Sequence, residues 1–219
     1  SSVSLMEGHI YLILPPTANP EGPYILTIRE QGERVWARAI AMDMDQIATD
    51  SAVSKDDSLF LCGSTLTSRR AGYSTSRTPS SSGPSDALVC RFSPDGDTEW
   101  TVSFGGDSTD IANSIAVDGT GCVYVGGYFT SPVDFDPGPG VQMVHPNTLN
   151  DAFLNKLDSE GCFQWVRTWG GALVWSIAAD ESDCVYVCGE WQGRVDFDPG
   201  PNVAEHVSGA ARILLFLLR

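Results

Sequence analysis

The residues best placed to do chemistry are four aspartates, Asp134, Asp136, Asp196 and Asp198. They lie in two identical heptapeptides, VDFDPGP, at Val133–Pro139 and Val195–Pro201. Two positions apart on an extended segment, the two carboxylates of each copy point to one face, and the intervening Phe135 or Phe197 points to the other, toward a core. Paired carboxylates beside exposed carbonyls at a Pro-Gly turn suit a hard, oxygen-liganded cation, of which Ca²⁺ is the expected one. The same residues have a second physical reading. Asp136 and Asp198 each precede a proline, and an aspartate there folds back on a following backbone N–H and fixes the turn. No EF-hand loop accompanies either copy.

The remaining chemistry-bearing residues do not assemble into a reaction. His9, His145 and His206 have no matching nucleophile elbow, and no GxSxG, HExxH, Walker or dinucleotide fingerprint is present. The expectation is therefore a chain that is not an enzyme. Carboxylate pairs are plentiful, which keeps a glycoside hydrolase or lyase as one alternative, but nothing selects an acid and a nucleophile. Trp169, Trp175 and Trp191 could supply a sugar-stacking surface, so a carbohydrate-binding, lectin-like role is another. The six cysteines contain no CxxC pair, and zinc or haem by motif is unsupported. Cys184 and Cys188, four apart on one strand, are separated by roughly 13 Å, too far to bond. These thiols read as small core residues.

Charge narrows the partners. The formal net charge of −15 over 219 residues argues against nucleic acid and anionic membranes. The apolar run at Ile213–Leu218 is far too short to span a bilayer. The chain begins SSVSL rather than with Met, as a mature or truncated product would, so a missing signal peptide carries no information. A protein partner or assembly is expected, and the chain could itself be part of a larger polypeptide or oligomer.

The elements that must position these residues are repeated ones. Asp86–Trp100 (DALVCRFSPDGDTEW) aligns without a gap with Asp151–Trp165 (DAFLNKLDSEGCFQW), and Tyr24–Trp36 is a worn third copy. Trp36, Trp100 and Trp165 are 64 and 65 residues apart. Each is followed by a matching strand, SLFLCG, CVYVGG or CVYVCG. The segments between are short, rich in Val, Ile, Tyr, Phe and Trp, and joined by Gly, Asp, Ser and Pro. Asp95-Gly96 is a strong hairpin signal. No segment keeps a helical period.

A four-stranded unit cannot bury both of its faces alone, and stacking copies radially solves that. The expected fold is all-β, a β-propeller or propeller segment of four-stranded antiparallel blades of about 64 residues, with the three Trp in equivalent, mostly buried places. The chain divides as 1–23 partial blade, 24–85, 86–150 and 151–211 blades, and 212–219 the first strand of a further or shared blade. Arg212–Arg219 is expected to pair with another unit, either the N-terminal half-unit around Gly8–Leu14 or a neighbouring chain. Ser74–Ser85, a Ser/Pro/Gly-rich stretch that replaces the acidic loop in the first copy, reads as a surface loop. The topology would place Asp134 and Asp136 on the rim that carries Gly105, Gly106, Asp107 and Asp110.

The VDFDPGP loops, with DAFLNKLDSEGCFQWVRTWGG and a Tyr-Val strand ending in Gly, resemble the bacterial β-propeller repeat called SBBP. The resemblance is strong over Asp86–Pro201 and fair over Tyr24–Gly63. It implies a propeller in a large secreted or surface protein, hence an extracellular or cell-surface location, and no particular reaction. The leading functional expectation is a non-enzymatic scaffold or protein-interaction module of a secreted or cell-surface bacterial assembly.

Overall fold

The computed structural model describes the backbone of residues 3–6, 9–14, 24–29, 34–39, 46–65, 83–180, 184–198 and 202–218, with side chains over 48–65, 83–180, 184–198 and 202–209. These residues are all-β and antiparallel. The first sheet holds β1 (Val3–Met6), β2 (His9–Leu14), β3 (Tyr24–Arg29) and β4 (Arg34–Ala39) in that order. The second holds β5 (Gln46–Val53), β6 (Leu59–Thr65), β7 (Asp86–Phe92) and β8 (Thr98–Phe104). The third begins with β9 (Asp110–Val117) and β10 (Val123–Phe129). It then sends out a small hairpin, β11 (Val133–Asp134) with β12 (Met143–Val144), and is completed by β13 (Asp151–Leu157) and β14 (Phe163–Gly170). The last sheet has β15 (Ala172–Ala179), β16 (Val185–Asp196) and β17 (Glu205–Leu218). Among the described residues there is no helix long and apolar enough to cross a membrane.

The sheets cut across the sequence copies. Each sheet takes the last two strands of one copy and the first two of the next, so Asp86 pairs with Thr65 and Asp151 with Phe129. The reason is that a cyclic repeat fixes its period but not its phase. The hydrogen-bonded sheet ends after the Trp-bearing strand (β4, β8 or β14), where the chain starts the first strand of a new sheet. Arg212–Leu218 belongs to β17 and pairs with β16, Leu218 opposite Val185, rather than with Gly8–Leu14. It is the continuation of the return arm of the second acidic hairpin. Residues 74–82 of the Ser/Pro/Gly-rich stretch lie outside the described residues.

Both faces of the middle sheets are buried, and this explains the strand composition. β6 is buried at every position. Its alternate side chains feed two cores: Phe60 and Cys62 join Ala112, Ile115 and Phe135 between the second and third sheets, while Leu59 and Leu61 join Leu88 and Phe92 on the other face. Between the third and fourth sheets lie Tyr124, Leu154, Trp169, Val174, Ile177 and Trp191. A strand buried on both faces reads as a continuous apolar run rather than an alternation.

The hairpin turns share one chemistry. In Asp118–Cys122 and Asp158–Cys162 the first residue accepts the N–H of the fourth, and the fifth residue's carbonyl accepts the N–H of the first. The Asp Oδ1 caps the N–H of the third and fifth residues. The fourth residue has positive φ, 87° at Gly121, 76° at Gly161 and 82° at Gly96 of the corresponding Ser93–Asp97 turn, and glycine meets that geometry without strain.

Successive sheets are joined by a repeated seam at their first strands. β5, β9 and β15 each carry a bulge at the same place, at Thr49, Asn113 and Trp175. Thr49 Oγ1 donates to the Ala112 carbonyl at 2.7 Å, and Asn113 Nδ2 donates to the Val174 carbonyl at 2.8 Å. One residue on, Asp50 Oδ2 accepts from the Ser114 hydroxyl (2.7 Å) and the Ile115 N–H (3.1 Å), and Ser114 Oγ accepts from the Ile177 N–H (3.1 Å). A second seam runs along the outer edge, where the Ser159 carbonyl accepts both Trp100 Nε1 and Arg91 Nη1 at 2.9 Å.

Candidate functional site

The acidic heptapeptides build two equivalent hairpins on one rim. Phe135 N–H donates to the Gln142 carbonyl, and Phe197 N–H to the Ala204 carbonyl. Phe135 is fully buried, with ring centroids of Phe104, Phe129 and Phe153 at 5.2 to 5.5 Å. The Asn155 amide donates to its carbonyl at 3.1 Å. Phe197 packs edge-on to Trp191 at 5.5 Å and against His206 at 5.7 Å. The Phe between the two Asp is thus a plug that seats each hairpin in the frame, as the alternation of the heptapeptide requires.

The carboxylates face the hairpin's own backbone. Asp134 Oδ1 accepts the N–H of Asp136 (3.1 Å) and of Gln142 (2.7 Å). Asp196 Oδ1 repeats this with Asp198 (3.1 Å) and Ala204 (2.8 Å). Asp136 Oδ1 accepts the Gly138 N–H at 2.7 Å, and its Oδ2 lies over Gly140, close enough that an added Cβ there would clash. These are the bonds of a turn-setting role. The four aspartates come together as two separate pairs, and among the described residues no group of three or more His, Cys, Asp or Glu gathers as metal ligands.

The return arms carry the exposed side of the hairpins. Val141 and Val203, seven residues after Asp134 and Asp196, are equivalent and each 74% exposed. Met143, Leu149 and Val207 are further exposed apolar side chains of these arms and the loop that follows. The loop that was expected beside them is there: a Cβ on Gly106 would fall on the Pro132 carbonyl.

Three buried carboxylates lie by these hairpins: Asp110 was expected on this rim from the sequence, and Asp86 and Asp151 were not. Asp110 Oδ2 accepts the Gly106 N–H (2.7 Å) and its Oδ1 the Thr130 N–H (3.2 Å). Burial pushes its carboxyl up to about 6, against the pull of those two N–H groups. Asp151 accepts from Asn147 N–H at 2.6 Å and from the Thr148 hydroxyl at 2.6 Å. Asp86 is buried beneath Gly105. For Asp86 and Asp151 the signal was present as the Asp that opens both DALVC and DAFLN, a shared start with no apolar reason.

The opposite rim has a polar cleft of about 360 Å³ between the turns at Ser54, Asp118 and Ser159. Its charged groups are engaged. Arg91 pairs with Asp56 (3.0 Å) and Glu99 (2.8 Å) and lies over the Phe60 ring. Asp56 is held below its ordinary value by the Ser54 hydroxyl, with Ser58 and Arg91 helping. Asp118 accepts from Tyr124 Oη at 3.0 Å, and Lys156 Nζ donates to Tyr124 Oη at 2.7 Å. Burial alone would raise Asp118, but the Thr120, Cys122 and Tyr124 donors outweigh it and hold the group low. Lys156 over Tyr124 and Arg91 over Phe60 are equivalent positions, which marks both cations as parts of the repeat.

The other candidates fall as follows. His145 and His206 are exposed on the hairpin rim. Trp169 and Trp191 are buried and Trp175 is exposed, so the three do not form one stacking surface. The six cysteines are free thiols. Burial raises Cys62 and takes Cys90 up to about 12, as suits core residues, while Cys122, Cys162, Cys184 and Cys188 are half-buried. Trp100 meets Phe60 at 5.9 Å and 62°, and Trp165 meets Tyr124 at 6.0 Å and 61°. Their environments are equivalent, but Trp165 is only half-buried, whereas Trp100 lies under the Ser159–Gly161 turn of the next sheet. The Trp36 side chain lies outside the described residues.

No family model matches the chain. A stretch of 138 residues, 63% of the chain, is 29% identical to the regulatory protein FlaEY of Caulobacter vibrioides and spans 14% of that protein's length. Among solved structures, a protein of unknown function from Bacteroides caccae is similar with a TM-score of 0.48 and 9% identity, over 94% of this chain and 60% of that one. A mutant of the GH43 protein BlXynB from Bacillus licheniformis gives a TM-score of 0.37 and 9% identity, over 98% of this chain and 51% of that one. The chain spans less than two thirds of each of these proteins.

Proposed function

We propose that the chain is a β-propeller, or a segment of one, that serves as a non-enzymatic scaffold or protein-interaction module in a secreted or cell-surface bacterial assembly. The propeller reading is supported by consecutive meandering sheets joined first strand to first strand through one repeated seam. The interaction reading rests on one observation above the others. Two equivalent hairpins, each seated by a buried Phe and braced by its own aspartates, hold Val141 and Val203 out into solvent at 74% exposure each. Exposed apolar side chains on loops fixed to a rigid frame are how such frames recognise protein. In the opposite cleft Asp56 pairs with Arg91, and Asp118 with Tyr124 and Lys156, contacts whose recurrence from sheet to sheet supports a structural use of these carboxylates.

The test is quantitative affinity capture from envelope and surface-protein extracts with the intact chain and a Val141→Glu/Val203→Glu variant. The reading expects a discrete bound species that the variant loses while its melting temperature is unchanged. Equal capture by both proteins overturns it. A glycan-array signal that depends on Trp175 favours the carbohydrate-binding alternative instead.

A further inference from the structure

We infer that the buried Asp110 carboxylate is a proton-operated latch at the base of the first acidic hairpin, fastened when protonated and loosened when ionised, and that the second hairpin has no such latch. The inference concerns how the rim is held and does not depend on what the rim binds.

Asp110 opens β9 and joins three segments of the rim. Its N–H donates to the Ser85 carbonyl at 2.8 Å. Its Oδ2 accepts the Gly106 N–H of the loop between β8 and β9 at 2.7 Å. Its Oδ1 accepts the Thr130 N–H at 3.2 Å, and Thr130 Oγ1 donates to the Thr109 carbonyl at 2.8 Å. Thr130 begins the short connection through Pro132 that leads from β10 into β11, and so to the Phe135 plug and Val141. The loop lies directly on that connection, since a Cβ on Gly106 would meet the Pro132 carbonyl and the Ser131 hydroxyl. One side chain thus ties the entry of the hairpin to the loop from the preceding sheet.

Nothing neutralises this tie. Asp110 is 1% exposed, and an ionised carboxylate so buried is costly unless a cation or enough donors offset it. Its carboxylate has two backbone N–H partners, one to each oxygen, and no ion pair among the described residues. The titratable groups on the elements around it are Asp107 on its own loop, Asp50 on β5, Asp86 on β7, Tyr128 on β10, Asp134 on β11, His145 after β12 and Asp151 on β13. Arg91, Glu99 and Lys156 stand at the opposite rim with Asp56 and Asp118. Burial accordingly holds the Asp110 carboxyl up at about 6, against the pull of the two N–H groups and an ordinary value of 3.8.

In a loosened arrangement the carboxyl is hydrated and titrates at that ordinary value. The closed arrangement binds the proton more tightly, so its advantage is full below about 3.8 and is lost as pH rises through about 6. A difference of about two units is a roughly hundredfold change in the closed-to-open ratio.

The second hairpin makes the same tie without an ionisable group. Ala172 pairs with Trp191 as Asp110 pairs with Phe129. Gln192, the counterpart of Thr130, donates its N–H to the Gly171 carbonyl at 2.9 Å. Backbone stands there in place of a carboxylate, and proton uptake has nothing to act on. The placing of Val141, and not of Val203, is thereby coupled to pH.

The test is NMR on the intact chain from about pH 4 to 7.5, a window that spans both values, reading amide exchange as protection factors together with amide shifts. The Gly106 and Thr130 amides are expected to exchange by local opening, faster than the amide of the fully buried Leu154, and to lose protection roughly hundredfold across the window. Their shifts move with one midpoint at about 6, and Gln192 shows no such step. Asp110→Asn removes both the step and the fall. Exchange of Gly106 and Thr130 no faster than Leu154, protection that does not fall, or a fall that survives Asp110→Asn overturns the inference. So does a matching step at Gln192. The comparisons with Leu154 and Gln192 are made in the unaltered chain and need no variant.

Discussion

Removing the plug from one acidic hairpin tests how the rim is held. Phe135 lies between β11 and the core, fully buried among three other phenylalanines at 5.2 to 5.5 Å. Phe135→Ala deletes the ring and leaves a cavity that the sheets on either side, fixed by hydrogen bonds, fill only in part. Such truncations cost about 3 to 5 kcal/mol. For a chain of this size each kcal/mol moves the melting temperature by about 2 to 4 °C, so a fall on the order of 6 to 20 °C is expected in a calorimetric scan. Phe197→Ala should cost less, because Phe197 is 9% exposed where Phe135 is 0%, and one of its ring neighbours is the exposed His206. Urea titrations would separate the two by midpoint at unchanged slope. A loss below about 1 kcal/mol at Phe135, within the range of surface substitutions, would refute the reasoning. It would mean that the hairpin hangs from the frame as a free loop and that Val141 is not held in one place.

Other consequences follow from the same geometry. Asp134 and Asp196 already accept two backbone N–H groups each, so EDTA and millimolar Ca²⁺ should leave the melting temperature unchanged, and Asp136→Asn should be nearly neutral. A calcium-dependent rise abolished by the Asn variants would instead support the cation role. Asp110 titrates near 6 in the folded chain against an ordinary 3.8. The folded state therefore binds the extra proton between those values, and stability should fall as pH rises from about 4 to 6, by up to about 3 kcal/mol. Asp110→Asn should flatten that slope in melts across the window, and an unaltered slope would contradict the assignment. Asp56 and Asp118 are shifted down, so their contribution is lost only as pH falls below the ordinary carboxylate range. Gly127→Ala would drive a Cβ into the Ile111 carbonyl and should prevent soluble expression or lower stability by several kcal/mol; a wild-type melt would be inconsistent with the bulge between β9 and β10.

The sequence carried the strands, the hairpin turns and the Phe plugs plainly, because each follows from a local rule. Asp-x-x-Gly turns and alternation around Phe135 need no knowledge of distant residues. The phase of the sheets was not legible, since DAFLNKL pairs backward with CVYVGG across the acidic loop, a long-range choice that repetition alone leaves open. The seam of Thr49, Asn113 and Trp175 was hidden for a different reason. Its members share a place and a donor group but not a residue type. The aspartates were legible as a pair on one face, but that pattern serves a cation and a braced turn alike. The Gln142 and Ala204 N–H groups that brace the turn come from eight residues downstream, beyond the reach of the local pattern. Asp86 and Asp151 were lost among the 28 acidic residues of the chain, where burial, not type, sets them apart.

The central claim is that the hairpin tips are where a protein partner is met. Site-specific photo-cross-linking in the native host tests it most directly, with a benzophenone amino acid placed at Val141, at Val203 and, as a control on an equally open turn, at Asp95. The account predicts the same discrete protein adduct from Val141 and Val203, identified by mass spectrometry, and none from Asp95. Adducts of equal yield and composition at all three positions, or no adduct at either valine, would contradict it.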